Sequence, residues 1–219
     1  MTPFFSIIVV CLNPGEKLLQ TLQSIQKQEF RDYEIVLKDG GSTDGSLQKL
    51  DPGQSGLHVV TKPDRGIYDA MNQAVEEAKG RFVFFLNCGD WFMDEQVLAD
   101  MHDRIAGQEQ TGTEHSAIYY GNVYERVTGQ LVSSNPKLNA FGCYRNVPCH
   151  QACFYERELL LRHPFQLEYR VRADYEQFLW CFFEAKANPF YTGITVADYE
   201  GGGFSETKKN LAVSKEEHR

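Results

Sequence analysis

Three short stretches of this 219-residue chain place acids, hydroxyls and glycines directly after apolar runs. They are Cys11-Leu12-Asn13-Pro14-Gly15, Lys38-Asp39-Gly40-Gly41-Ser42-Thr43-Asp44-Gly45-Ser46 and Asn87-Cys88-Gly89-Asp90-Trp91. Glycines let a backbone approach a ligand closely, while acids and hydroxyls accept base and ribose hydrogens or cap the next helix. Asp39 can accept from a base N–H, and Thr43 or Asp44 can equally be a helix N-cap. Neither G-x-G-x-x-G nor G-K-[ST] occurs in these stretches, which disfavours a dinucleotide oxidoreductase or a phosphate-loop nucleotidase. Further along, Asp64 and Arg65 precede a helical pattern, where a guanidinium can fork a phosphate or simply be solvated. Asp174, with Glu176 close behind, opens a strongly apolar stretch, as a reacting carboxylate or as an acid suited to a helix N-terminus. Pro148-Cys149-His150-Gln151-Ala152 adds an imidazole and an amide. Cys143, Cys149, His150 and Cys153 fit no zinc-finger spacing.

The elements that must position these groups follow from periodicity. Residues 4–11 form a nearly continuous β-branched and aromatic run, as in a strand buried on both faces of a parallel sheet. Leu18, Leu22 and Ile25 then repeat at a helical period, and 33–38 reads as a second strand. The alternation continues with a short helix at 43–50, a strand at 57–60, a helix at 67–79 stopped by Gly80 and a strand at 81–86. Strand, helix, strand with short links predicts a doubly wound sheet, whose ligands bind beyond the C-terminal strand ends. The three loops above lie at those ends. Past Asp90 the pattern predicts a helix at 94–105, a polar loop through Glu114 and two strands, 117–121 and 123–132, around a turn. It predicts an apolar helix at 173–185. Residues 133–147 show little periodicity and read either as a loop over an acceptor site or as a surface connection.

Composition narrows the classes. The net charge of −8 disfavours a nucleic-acid surface, and an anionic ligand would need help from a cation. No apolar run approaches the ~20 residues of a membrane span, and six scattered cysteines suit free thiols in a reducing compartment. A cytoplasmic protein is expected, with peripheral contact at the inner face of the membrane left open. Lys208, Lys209 and Lys215, mixed with glutamates, read as a solvated helix face.

Four stretches in order resemble family 2 glycosyltransferases of the GT-A fold: Phe5-Ser6-Ile7-Ile8-Val9-Val10, 39–46, Lys62-Pro63-Asp64-Arg65-Gly66-Ile67-Tyr68-Asp69-Ala70-Met71-Asn72 and Phe85-Leu86-Asn87-Cys88-Gly89-Asp90. The resemblance is strongest to the bacterial branch that builds exopolysaccharide, capsule or lipopolysaccharide. It implies an α/β fold with a doubly wound, mixed but mostly parallel sheet in a single domain, 1–219. Residues 1–91 would be the nucleotide-sugar half, 92–205 the acceptor-side half and 206–219 a C-terminal helix or tail.

The resemblance also implies roles. Cys11, Asn13, Asp39, Asp64, Arg65 and Gly89 would border the donor, Asp90 would hold Mn²⁺ or Mg²⁺, and His150 and Gln151 would line the acceptor side. Asp174 would take the acceptor proton, with Glu176 in reserve. Gly201-Gly202-Gly203-Phe204-Ser205 would be a loop closing over donor phosphate. Gly40 and Gly89 stand where many members carry further acids. A single carboxylate still suffices where a hard cation draws its other ligands from phosphate and water.

The implied function is inverting transfer of a hexose or N-acetylhexosamine from a nucleotide-diphosphate sugar, a UDP-sugar first, to a saccharide or lipid-linked acceptor. Two alternatives stand beside it. A sugar-phosphate nucleotidyltransferase would carry a glycine-rich, basic loop after the first strand, unlike Asn13-Pro14-Gly15-Glu16-Lys17. An inactive carbohydrate-binding or scaffold protein is suggested by the two absent acids.

Overall fold

A computed structural model describes residues 2–51, 53, 55–110, 117–201 and 207–218. Strand β1 (Phe5–Cys11) is apolar along its length because parallel strands flank it and helices cover both its faces. The first half proceeds through α1 (Lys17–Gln26), β2 (Tyr33–Asp39), β3 (Leu57–Thr61), α2 (Ile67–Glu77) and β4 (Phe82–Phe85). The second half follows with β5 (Trp91–Phe92), α3 (Val97–Glu109), β6 (Ala117–Glu125), β7 (Gln130–Val132), α4 (Ala140–Arg145), β8 (Cys153–Glu156), α5 (Arg157–Arg162), α6 (Ala173–Phe183), β9 (Asn188–Tyr199) and α7 (Lys208–Glu217).

One mixed sheet joins both halves in the order β3-β2-β1-β4-β8-β6-β9-β5, with β7 paired to β6. The first four strands are parallel. β8 is antiparallel to both its neighbours, β4 and β6, while β9 is parallel to β6. Chain order reverses between β2 and β4 on either side of β1, which opens a crevice at their C-terminal ends. On one face Leu18, Leu22 and Ile25 of α1 and Leu98, Met101 and Ile105 of α3 pack on Ile7, Val9 and Phe84. On the other, Met71, Ala74 and Val75 of α2 join Leu159 and Phe178 over Ile8, Val36 and Phe85. Among the described residues no helix is long and apolar enough to cross a membrane.

Several elements differ from the periodic reading, each for a local reason. The expected helix at 43–50 is only a 3₁₀ turn, Leu47–Lys49, because Asp44 Oδ1 binds the Ser46 N–H and hydroxyl and holds the chain in a tight turn. α2 ends at Glu77, since the N–H groups of Lys79 and Gly80 are drawn to Glu34 and Ser6. The third helix begins at Val97, its N-terminus capped by Gln28 Oε1 on the Leu98 N–H at 2.9 Å. Residues 133–147 contain α4, capped by Asn139 Oδ1 on the Gly142 N–H. β9 had no periodic signature. The polar stretch at 111–116 and the glycine motif at 202–205 lie outside the described residues.

The turn expected near 121–123 is instead a bulge within a continuous β6, with register shifts on either side of Asn122. A Cβ at Gly121 would stand 2.1 Å from the Ile194 carbonyl oxygen, so no side chain fits there. Gly121→Ala should therefore lower the melting temperature by roughly 3–10 °C, from an overpacking cost of about 1–3 kcal/mol. Gly107, exposed in α3 with open space around it, provides the control. Gly107→Ala should raise the melting temperature by about 1–4 °C through helix propensity, and thermal circular dichroism measures both.

Candidate active site

The crevice beside β1 and β4 opens into a cleft of about 520 Å³. The ends of β1 and β4 contribute Cys11, Asn87, Cys88 and Asp90, α1 contributes Lys17, and α2 contributes Tyr68. The second half contributes His150, Gln151, Asp174, Tyr199, Glu200 and Gly201. Residues from both halves thus meet across one cleft, although more than 80 positions separate Asp90 from Asp174 in the chain.

The loops after β1 and β2 brace one another. Asn13 donates its N–H to Ser42 Oγ at 2.7 Å and accepts from the Thr43 N–H at 2.8 Å, while the Gly15 N–H donates to Asp44 Oδ2 at 2.8 Å. Asp39 is buried, and its carboxylate accepts from the Gly41 N–H, the Ser42 N–H and the Ser42 hydroxyl. Asn13, exposed, and Asp39, buried, therefore hold the loops beside the cleft in shape. Asp64 turns inward to Lys38 Nζ at 2.9 Å, and its Oδ2 stands 2.8 Å from where a Cβ on Gly40 would be. A neighbouring loop thus delivers a carboxylate to the position where the sequence leaves one out. Arg65, 77% exposed and paired with Asp69 at 3.3 Å, borders an adjoining pocket that shares Ile67 and Tyr68 with this cleft.

Asp90 is buried at the far side of the cleft. Its Oδ1 accepts the Glu200 N–H at 2.7 Å and faces Arg126 Nη2 at 3.3 Å. Arg126 also donates to the Gly89 carbonyl at 2.7 Å, pairs with Asp198 and lies 3.5 Å over the Trp91 ring. Burial pushes the Asp90 carboxyl above the usual range, and the Glu200 N–H, Gln151 and Arg126 offset only part of that push. Gln151 further accepts the Asn87 N–H at 2.9 Å, which makes it a brace across the floor. Gly89 does not line the cleft; it has φ 101° and lies under Lys17.

Among the described residues no three His, Cys, Asp or Glu side chains gather to hold a metal. The donor set fits a hard cation only in one form, anchored by Asp90 and completed by phosphate oxygens and water.

At the opposite wall Asp174 occupies the first turn of α6, where the helix dipole favours its charge. Its Oδ1 accepts the Tyr175 N–H at 2.9 Å and lies 3.1 Å from the Tyr68 hydroxyl, and its Oδ2 lies 3.3 Å from His150 Nδ1. His150 Nε2 in turn meets Asn87 Nδ2 at 3.3 Å. Burial opposes ionisation of Asp174, but His150, Tyr68 and the Tyr175 N–H outweigh it and hold the carboxyl below the usual range. Glu176 is engaged elsewhere, by His163 at 2.9 Å. Sequence reasoning did not single out Lys17, Arg126 or Glu200, which carry no motif, nor Tyr68 and Asn87, which lie inside quoted motifs.

All six cysteines are free. Burial, reinforced by neighbouring acidic groups, pushes Cys11 and Cys88 up to about 12. Their thiolate fractions at pH 8 would be on the order of 10⁻⁴. Iodoacetamide at pH 8 should leave both unmodified in the folded protein and label them after denaturation, as read by peptide mass spectrometry.

Comparison with known proteins agrees with this architecture. The glycosyl transferase family 2 model matches residues 6–160. A PGL/p-HBAD biosynthesis glycosyltransferase of Mycobacterium tuberculosis is 36% identical over 211 residues, covering 94% of this chain and 80% of the relative. Staphylococcus aureus TarS 1–349 in complex with UDP-GlcNAc superposes with a TM-score of 0.72 at 20% identity, covering 95% of this chain and 64% of that one. A mannosyltransferase of Pyrobaculum calidifontis in complex with GDP-Man and Mn²⁺ gives a TM-score of 0.65 at 18% identity, covering 91% and 57%. The chain thus spans less than two thirds of these solved chains, and what it shares with them is the GT-A fold. With the family model over most of its length and a relative alike across nearly all of it, the chain belongs to glycosyltransferase family 2.

Proposed function

We propose that the protein is an inverting transferase that moves a hexose or N-acetylhexosamine from a UDP-sugar to the hydroxyl of a saccharide or lipid-linked acceptor. The observation that carries this reading is one cleft with a buried carboxylate, Asp90, on its donor wall and an ionised carboxylate, Asp174, on its acceptor wall. The UDP-GlcNAc and GDP-Man held by structural neighbours support a nucleotide-sugar donor. Six free thiols suit the cytosolic address that belongs to the same reading.

In the transfer, the acceptor oxygen forms a bond to the anomeric carbon as the bond from that carbon to the diphosphate breaks. The leaving group takes the electron pair, and the acceptor proton passes to Asp174. His150 and Tyr68 hold the Asp174 carboxylate in one orientation, and because its pKa is lowered it is ionised throughout the neutral range. Asp90 would anchor a divalent cation, which when bound supplies charge to the departing diphosphate. Cys11 and Cys88 add apolar wall and Gln151 fixes the floor between donor and acceptor.

Calorimetric titration with UDP, with and without Mn²⁺, tests the donor assignment, and absence of binding under both conditions defeats it. Asp174→Asn should lower kcat by roughly 10²–10⁴-fold with UDP affinity unchanged; turnover near wild type would remove Asp174 from its role.

Asp90→Asn should abolish any Mn²⁺-dependent gain in UDP affinity. A raised carboxyl pKa means that ionised Asp90 costs the fold stability at neutral pH, a cost that fades as pH falls through the folded value. The same variant should therefore melt at or above the wild-type temperature at pH 7, a trade of stability against function.

A further inference from the structure

A side chain at Gly89 would have to displace Lys17, whose stem fills that space. A Cβ at Gly89 would lie 2.9 Å from Lys17 Cδ and 3.6 Å from both Cβ and Cγ, so the methylene stem runs across the glycine. The positive φ of 101° excludes most side chains there on backbone grounds as well. Lys17 is the first residue of α1, whose N-terminus faces the crevice.

The stem delivers the ammonium into the cleft. Lys17 is the single lysine or arginine among the described residues that line it. Arg126, which pairs with the cleft residue Asp90, is also committed to Asp198 and the Gly89 carbonyl. Lys17 has a looser commitment, an ion pair with Glu200 at 2.5 Å in which both side chains are 54% exposed. Exposed pairs of this kind hold weakly and exchange readily for a stronger anion.

We propose that Lys17 is a donor-phosphate ligand, releasing Glu200 to bind the diphosphate of the nucleotide sugar. The inference rests on the nucleotide-sugar reading above. In free protein the Glu200 carboxylate occupies the ammonium. A diphosphate entering beside Asp90 offers several charged oxygens to the same ammonium, a charge-assisted contact that a carboxylate exposed to water does not match. The protein would then neutralise part of the leaving-group charge with its own side chain.

Titration of UDP and uridine in EDTA into wild type, Lys17→Met, Lys17→Arg and Glu200→Gln tests this. Lys17→Met should weaken UDP binding by roughly 10–100-fold, the loss of a hydrogen bond to a charged group. It should leave uridine binding unchanged, Lys17→Arg should keep most UDP affinity, and Glu200→Gln should tighten UDP binding by removing the competitor. Equal UDP affinity of wild type and Lys17→Met overturns the inference, as does an equal loss for uridine, which would signal a merely structural change. If wild type binds neither UDP nor uridine, with or without Mn²⁺, the donor reading fails and this inference falls with it.

Discussion

The β2 edge of the cleft depends on one buried ammonium. Lys38 Nζ is shut off from solvent and donates to the Asp39 carbonyl at 3.2 Å, the Lys62 carbonyl at 2.7 Å and Asp64 Oδ2 at 2.9 Å. An ammonium has three donors and no acceptor, so these three partners satisfy it completely. Removing one partner of such a buried pair costs about 3–5 kcal/mol, because the remaining charge cannot recover its hydration. The three acceptors belong to the end of β2, the end of β3 and the segment entering α2, which are thereby tied together. Asp64 is drawn so far inward that a side chain at position 40 would collide with it. The Asp39 carboxylate is then left to gather the following loop, and that loop grips 13–15 ahead of α1. The position of Lys17 over the cleft is the last consequence of this chain.

Asp90 plays the corresponding part across the cleft, with one carboxylate serving two ends. Its bonds to the Glu200 N–H and Arg126 join the loop after β4 to the residues following β9 and β6, so the sheet's two halves are stapled where the cleft lies. The carboxylate is poorly solvated there, which is unfavourable for the fold and favourable for binding a cation. A carboxyl raised by burial costs the folded state stability at neutral pH.

The wall around Asp174 follows a different logic. Asp174, His150, Tyr68 and Asn87 come from α6, the turn before β8, α2 and the loop after β4. Each has limited freedom because its element packs on the same core face or strand end, so the carboxylate is oriented before any ligand arrives. Preorganisation of this kind avoids reorganisation during reaction.

The sequence alone determined the βαβ alternation of the first half, because a strand buried on both faces and a helix with one apolar stripe leave different periods in the chain. Through resemblance to family motifs it also pointed to Asp90, Asp174 and the His150-Gln151 pair, which the fold brings to one cleft. It could not indicate β9, whose polar and glycine residues are accommodated by pairing with β6, nor the bulge at Gly121, which exists because Ile194 O passes beneath it. The same limit applies to the two glycines that read as absent acids. Position 40 is filled by Asp64 from 24 residues away and position 89 by Lys17 from 72 residues away, and neither distance leaves a local pattern. Tertiary structure decided what occupies those spaces, because close packing lets a side chain from any part of the chain fill a gap that a glycine leaves.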